Sequence, residues 1–209
     1  MIVNEIFYSI QGEGNWTGLS NVFIRTTGCN LRCSYCDTKY AYTEGKEINV
    51  NKIVEYIKRY PTNNVCITGG EPLLNKEIFN LTKILLEMKY KICIETNGSI
   101  NIKKILKINP TLISLDIKCP SSNMDEKMFL ENINQLRIND QLKFIIKNKK
   151  DYNYAKKIIS KYNPICSIYF QTVWGIEEKI LAEWILKDGL DVKLGIQVHK
   201  YIWGNKKGY

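Results

Sequence analysis

Short runs of branched aliphatic residues recur along the chain. Each is followed by a longer segment whose apolar residues fall three or four apart. NVFIRTT (21–27) has the first pattern and INVNKIVEYIKRY (48–60) the second. The pair repeats as NVCIT (64–68) with NKEIFNLTKILLEM (75–88), and as KICIET (91–96) with a short segment near 101–107. TLISLDI (111–117) precedes MDEKMFLENINQL (124–136), and QLKFIIK (141–147) precedes DYNYAKKIISKY (151–162). SIYFQT (167–172), EEKILAEWILK (177–187) and VKLGIQV (192–198) close the series. Val/Ile-rich runs of this length predict strands, and the 3.6-residue period predicts amphipathic helices. Their alternation predicts parallel β-α units. The strand runs hardly alternate, as expected of strands covered on both faces. With no linker or low-complexity stretch, the expectation is a single α/β domain spanning 1–209, a partial barrel of about six parallel strands.

Polar and glycine-bearing residues collect just after the strands. Cys29 follows the first, GGEP (69–72) the second and TNG (96–98) the third; DIK (116–118) ends the fourth and Gln171 the sixth. The carboxyl ends of parallel strands are where such folds build their sites. A glycine pair before proline is by itself only a turn, but five such features at one relative position go beyond turn chemistry.

Composition narrows the class. No apolar run approaches the ~20 residues of a membrane helix, and the N-terminus lacks the pattern of a secretory signal, so a cytoplasmic protein is expected. The formal charge is +9, yet the lysines are spread along the chain and the densest run, KNKK (147–150), has no interleaved aromatics. Solvated helix faces account for them, and no direct nucleic-acid or membrane partner is expected. Of the seven cysteines, Cys66, Cys93, Cys119 and Cys166 are scattered singly, which suits buried core thiols. Cys29, Cys33 and Cys36 lie among Gly, Asn, Arg and Asp, spaced C-x3-C-x2-C. Thiolates suit zinc or an iron–sulfur cluster. A structural zinc site wants a fourth ligand, and the sole histidine, His199, is distant in sequence. Three thiolates on a [4Fe–4S] cluster would leave one iron open.

This spacing, with an aromatic residue (Tyr35) before the last cysteine and GGEP after the second strand, resembles the radical S-adenosylmethionine (SAM) enzymes. The resemblance implies that SAM occupies the open iron, and that cluster reduction cleaves its sulfonium to give a 5′-deoxyadenosyl radical. A closer resemblance, to the 7-carboxy-7-deazaguanine synthases, rests on SIQGEG, R-x3-C-x3-C-x2-CDT, TGGEP, ETNG, SLDIK and QVHK, and runs from residue 5 to about 203. It implies a radical SAM barrel and a lyase converting 6-carboxy-5,6,7,8-tetrahydropterin to 7-carboxy-7-deazaguanine with loss of ammonia, on the route to queuosine and archaeosine. It also implies a flavodoxin- or ferredoxin-type electron donor and leaves room for a homodimer.

The resemblance also carries roles. The cluster falls to Cys29, Cys33 and Cys36, and Mg²⁺ to the Thr38 hydroxyl. SAM falls to Tyr35, Cys36, Asp37, Gly70 and Glu71, to Ser114, Leu115 and Asp116, and to Gln171, Thr172, Val173 and Trp174. The pterin falls to Ile10, Gln11, Gly12, Glu13, Arg25, Thr68 and His199, and to the α-carboxylate of Tyr209. An arginine fork suits the substrate carboxylate. QTVWG (171–175) lacks the proline associated with many members, and the cluster loop is the short form. Two other readings stay open: a radical SAM enzyme that activates glycyl-radical proteins, and a zinc-stabilised RNA-binding module.

Overall fold

The computed structural model describes residues 1–209 and arranges them around one nine-stranded sheet. In chain order the strands are β1 (Ile2–Ile10), β2 (Ser20–Thr26), β3 (Lys46–Glu47), β4 (Asn64–Gly69), β5 (Lys91–Thr96), β6 (Leu112–Lys118), β7 (Gln141–Ile146), β8 (Ser167–Thr172) and β9 (Lys193–Gly195). The helices are α1 (Val50–Ile57), α2 (Glu77–Glu87), α3 (Lys103–Leu106), α4 (Lys149–Tyr162), α5 (Glu178–Asp188) and α6 (Val198–Trp203). The spatial order is β3-β1-β2-β4-β5-β6-β7-β8-β9. From β2 to β9 every neighbouring pair is parallel. β1 and β3 add an antiparallel edge. The parallel run is thus six full strands and a three-residue seventh, β9. No helix is long and apolar enough to cross a membrane.

Successive side chains on a strand point to opposite faces, and here the two faces divide the work. The outer face is apolar: Ile24, Ile67, Ile92, Ile94, Ile113, Leu115, Leu142 and Phe144 are all fully buried. They join one core with the apolar stripes of α1, α2, α4 and α5, including Ile53, Leu81, Tyr152 and Leu181. The inner face runs in rows. The first is Phe23, Cys66, Cys93 and Leu112 in register, a small apolar cluster of its own. Above it Arg25 sits beside Thr68 and Glu95 beside Ser114, and next come Asp116, Lys143 and Tyr169. The strands do alternate; the apolar first row hides it in the sequence.

Residues 11–16 cross this inner face. Asn15 donates its backbone N–H to Gln141 Oε1 (2.6 Å) and accepts from the Tyr169 hydroxyl (3.0 Å). The Gly12 carbonyl accepts from Val198 N at 3.0 Å, and Gln197 Nε2 donates to Glu13 at 2.7 Å. The segment therefore ties the β1 side of the sheet to the chain beyond β9, across a gap that no strand pairing closes.

Three expectations need correction. β1 was not visible in the pattern, because a register shift between Val3 and Glu5 breaks its alternation. Residues 124–136 form 3₁₀ turns (Asp125–Lys127 and Leu130–Gln135), not an α-helix. The fully buried Asn132 holds Ile102 N and the carbonyls of Gly98 and Ile100, so a tertiary clip overrides the helical period. The last strand stops at Gly195, where Gln197 and Val198 turn to meet Glu13 and Gly12, and His199 lies in the first turn of α6 rather than following a strand.

A Cβ at Gly12 would run into the His199 imidazole. Gly12→Ala is expected to loosen this closure and cost about 1–3 kcal/mol, as overpacking does, read as a lower urea midpoint with an unchanged slope.

Candidate active site

The loop after β2 carries Cys29, Cys33 and Cys36, all half-buried and free. Its base is stitched to the second βα turn by backbone: Glu71 N donates to Gly28 O (2.8 Å) and Gly70 N to Thr26 O (3.1 Å). A Cβ at Gly70 would strike the Gly28 carbonyl, so only glycine permits this approach. Ser34 binds the 121–122 turn through Ser122 O (3.1 Å) and Ser121 O (2.7 Å). Arg32 stacks 4.3 Å over Tyr42 and donates to the carbonyls of Cys29 and Leu31. Leu31 is the buried anchor, 2% exposed.

The donors fit a cluster better than one ion. Tetrahedral zinc holds thiolate sulfurs ~3.8 Å apart, whereas these three sulfurs do not form a set packed within 4.8 Å. Asn97 Nδ2 points at Cys29 Sγ (3.6 Å), and the Lys118 ammonium acts on Cys33 while paired with Asp116 (2.7 Å). Burial outweighs that ammonium and raises the Cys33 thiol above its ordinary value.

A cavity of about 610 Å³ opens beside this loop. All three cysteines line it, with Tyr35, Asp37, Thr38, Gly70, Asp116, Gln171, Thr172, Val173 and Trp174. Ile10, Gln11, Gly12, Glu13, Arg25, Thr68, His199 and Tyr209 line the same cavity. Three expected residues stand outside it. Leu115 faces the helices, fully buried. Ser114 is 1% exposed and accepts from Gln141 Nε2 at 2.8 Å. The Glu71 carboxylate is consumed internally, accepting from Leu73 N (3.0 Å), Thr96 Oγ1 (2.9 Å) and Asn97 N (2.6 Å). Burial raises it to about 7. Its place is a brace from GGEP through Asn97 to the cluster loop, not a ligand contact.

Arg25 donates through Nε to Glu5 Oε1 at 2.7 Å, and the Tyr40 hydroxyl meets the same oxygen at 3.1 Å. Phe7 and Tyr40 flank the guanidinium at 5.7 and 5.9 Å. Burial opposes its charge, but Tyr40 and Glu5 outweigh burial and raise its pKa. Arg25 lines the cavity with Nε committed to Glu5, and its guanidinium is of the kind that suits a carboxylate.

Glu13 accepts from Lys143 at 2.5 Å, and Lys143 also pairs with Asp116 at 3.2 Å. Burial alone would raise Glu13, but Lys143 overcomes it and holds the carboxyl far below the usual range. Burial lowers His199 despite Glu13, so its imidazole is neutral at pH 7. Lys200 pairs with Asp37, which also accepts from the Thr38 hydroxyl at 2.9 Å. Thr38 precedes a 3₁₀ turn without capping it. The Tyr35 hydroxyl is buried with no partner.

After α6 the tail folds back. Trp203 packs on Tyr209 at 5.2 Å, Lys207 lies 3.8 Å over Tyr40, and residues 204–209 all line the cavity. Sequence reasoning missed Glu5, Tyr40, Glu95, Lys118, Lys143 and Lys200. A period-two reading of the strands would have flagged Glu95, Lys118 and Lys143 as charges facing inward.

Residues 23–163 match the Radical SAM superfamily. Over 208 residues the chain is 37% identical to a 7-carboxy-7-deazaguanine synthase of Thermoplasma acidophilum, covering 100% of both. It is 39% identical over 216 residues to one of Clostridium acetobutylicum, covering 99% of this chain and 98% of that one. The crystal structure of QueE from Escherichia coli shares the fold, with a TM-score of 0.77 at 21% identity over 95% of this chain and 94% of that one. Matched over residues 23–163 by the superfamily model and end to end by these relatives, the chain belongs to the radical SAM superfamily and, within it, to the 7-carboxy-7-deazaguanine synthase family.

Proposed function

We propose that the chain, acting as one catalytic domain in the cytoplasm, converts 6-carboxy-5,6,7,8-tetrahydropterin to 7-carboxy-7-deazaguanine with release of ammonia. The observation that carries this reading is a single cavity lined both by the three cysteines and by Arg25, Gln11 and Glu13. The bound cluster and SAM supply the hydrogen-abstracting radical; a flavodoxin- or ferredoxin-type protein supplies the electron.

The chain's own residues bind and orient. Arg25 grips the substrate carboxylate through its terminal nitrogens. Glu13 stays ionised beside Lys143 and accepts from pterin N–H groups, with Gln11 and neutral His199 completing the edge. Asp116 and the 171–174 segment face SAM, with Tyr35 in the cluster loop. For Mg²⁺ the residues fit in kind: Thr38 and Asp37 offer adjacent hard oxygens, and Lys200 shares the carboxylate. Tyr209 closes the mouth with its α-carboxylate toward the substrate. The test of the whole reading is anaerobic turnover of the carboxytetrahydropterin with mass detection of the deazaguanine; no product from iron-replete protein would overturn it.

Cys29→Ala, Cys33→Ala or Cys36→Ala should each abolish iron loading. Cys66→Ala, Cys93→Ala and Cys166→Ala should keep iron and lose about 1–3 kcal/mol of stability. Iron assay and urea unfolding separate the two sets.

Arg25→Lys keeps the charge but loses the fork. It should raise the apparent Michaelis constant about 10–100-fold, the loss of one charge-assisted hydrogen bond, with SAM binding unchanged by calorimetry.

Deleting Tyr209, or extending the chain beyond it, should likewise raise the substrate Michaelis constant at constant iron content. The reference must be untagged protein, because the Met1 ammonium is itself tied to Ile48 O (3.0 Å) and Glu77 (2.6 Å).

A further inference from the structure

Below the reaction cavity lies a second group of metal-ligating side chains that the cluster chemistry does not use. We propose that Cys66, Cys93 and Glu95 form a soft divalent-metal site, of the zinc and cadmium class, separate from the three-cysteine loop. Cys66 and Cys93 stand directly opposite one another on β4 and β5. Glu95 follows two residues along β5 and so projects from the same face. The two sulfurs and a carboxylate oxygen all lie within 4.8 Å of one another. Two thiolates on tetrahedral zinc need ~3.8 Å between sulfurs, a closure that side-chain rotation supplies.

A second observation marks the focus of this group. Gln11 Nε2 donates to Glu95 Oε1 at 2.9 Å and points at Cys66 Sγ at 3.5 Å. The amide nitrogen thus occupies the place a cation would take between two acceptors. The surroundings suit thiolate–metal bonds, because Phe23, Leu112, Phe7 and Trp16 pack around the cysteines and keep water out. Two thiolates and one carboxylate bring three negative charges and the ion two positive. The Arg25 and Lys143 cations, paired with Glu5 and with Glu13 and Asp116, also act on Glu95 and lower the cost of the remaining charge. Binding breaks two S–H bonds, forms two metal–sulfur bonds and one metal–oxygen bond, and releases two protons, with no change of oxidation state.

Glu95 lines the cavity and Gln11 does too. An ion in this site draws Glu95 down and displaces the Gln11 amide, leaving an open coordination position toward the cavity floor. The site stands on the Cys66–Cys93–Glu95 geometry, and it shares Gln11 with the proposed substrate edge.

The test uses holoenzyme with its cluster reconstituted anaerobically on Cys29, Cys33 and Cys36. The protein is equilibrated with buffered Cd²⁺ and desalted, and cadmium and iron are measured per chain. A single retained Cd²⁺ with unchanged iron is expected. Its X-ray absorption fine structure should give two sulfur neighbours, falling to one in Cys66→Ala or Cys93→Ala. Those variants should weaken retention about tenfold or more, at least what an outer-shell partner costs, whereas Gln11→Ala should leave it intact or strengthen it. Cadmium taken up only as iron is lost, three sulfur neighbours in the wild type, or equal retention in both cysteine variants would overturn the site. If a cysteine variant fails to fold, the sulfur count in the wild type still decides.

Discussion

Lys143 is the charge on which the interior depends. It is buried on the inner face of the sheet and bound to Glu13 on one side and Asp116 on the other. A buried ammonium without partners would be untenable. Its two partners come from different parts of the fold, the crossing segment and β6, and Asp116 passes the pairing on to Lys118 beside Cys33. One chain of alternating charge therefore runs from the segment that closes the gap in the sheet to the loop that carries the cysteines. Removing either acid would leave Lys143 half-compensated and unfasten one wall from the other. The closure of the sheet and the electrostatics of the cavity are one interaction.

The sequence made the parallel run legible because the outer face obeys a simple rule: apolar side chains between helices. It made the cysteine loop legible because three thiols in eight residues have few structural uses. The inner face was harder. Arg25, Thr68, Glu95, Asp116 and Lys143 alternate with aliphatics on their strands, but Phe23, Cys66, Cys93 and Leu112 continue the apolar series on the same face. β4, β5 and β6 thus read as apolar through their middle and mixed at their carboxyl ends, whereas β7 carries Gln141 and Lys143 in its first half. Period-two logic fails where a strand changes environment along its length.

What stayed hidden was set by long-range pairing. Glu5 and Tyr40 hold Arg25 from β1 and from the turn after the cluster loop, 20 and 15 residues away in sequence, and no local pattern links them. The helical period of 124–136 is real, yet Asn132 finds three backbone partners around 98–102 and the segment follows them. Glu71 lies in the GGEP motif that the family resemblance assigns to SAM, but spends its carboxylate on Thr96, Asn97 and Leu73. Motif membership locates a residue near a site; only the hydrogen-bond partners decide whether its side chain meets a ligand.

The net charge takes on a different meaning inside this fold. Lysines on solvated helix faces explain most of the +9, but Arg25, Lys118, Lys143 and Lys200 all line the cavity. They face four acids there, Glu13, Asp37, Glu95 and Asp116, and the tail adds Lys206 and Lys207 at the mouth. The walls alone are near neutrality; the returning tail tips them positive. A thiolate-bound cluster, and the carboxylate of the proposed substrate, would both bring negative charge into a space poorly screened by water, where opposite charge is worth most. Placing part of the surplus on a terminal segment makes the field depend on the tail being folded over the cavity. Closure of the mouth and complementarity to an anionic ligand therefore arrive together.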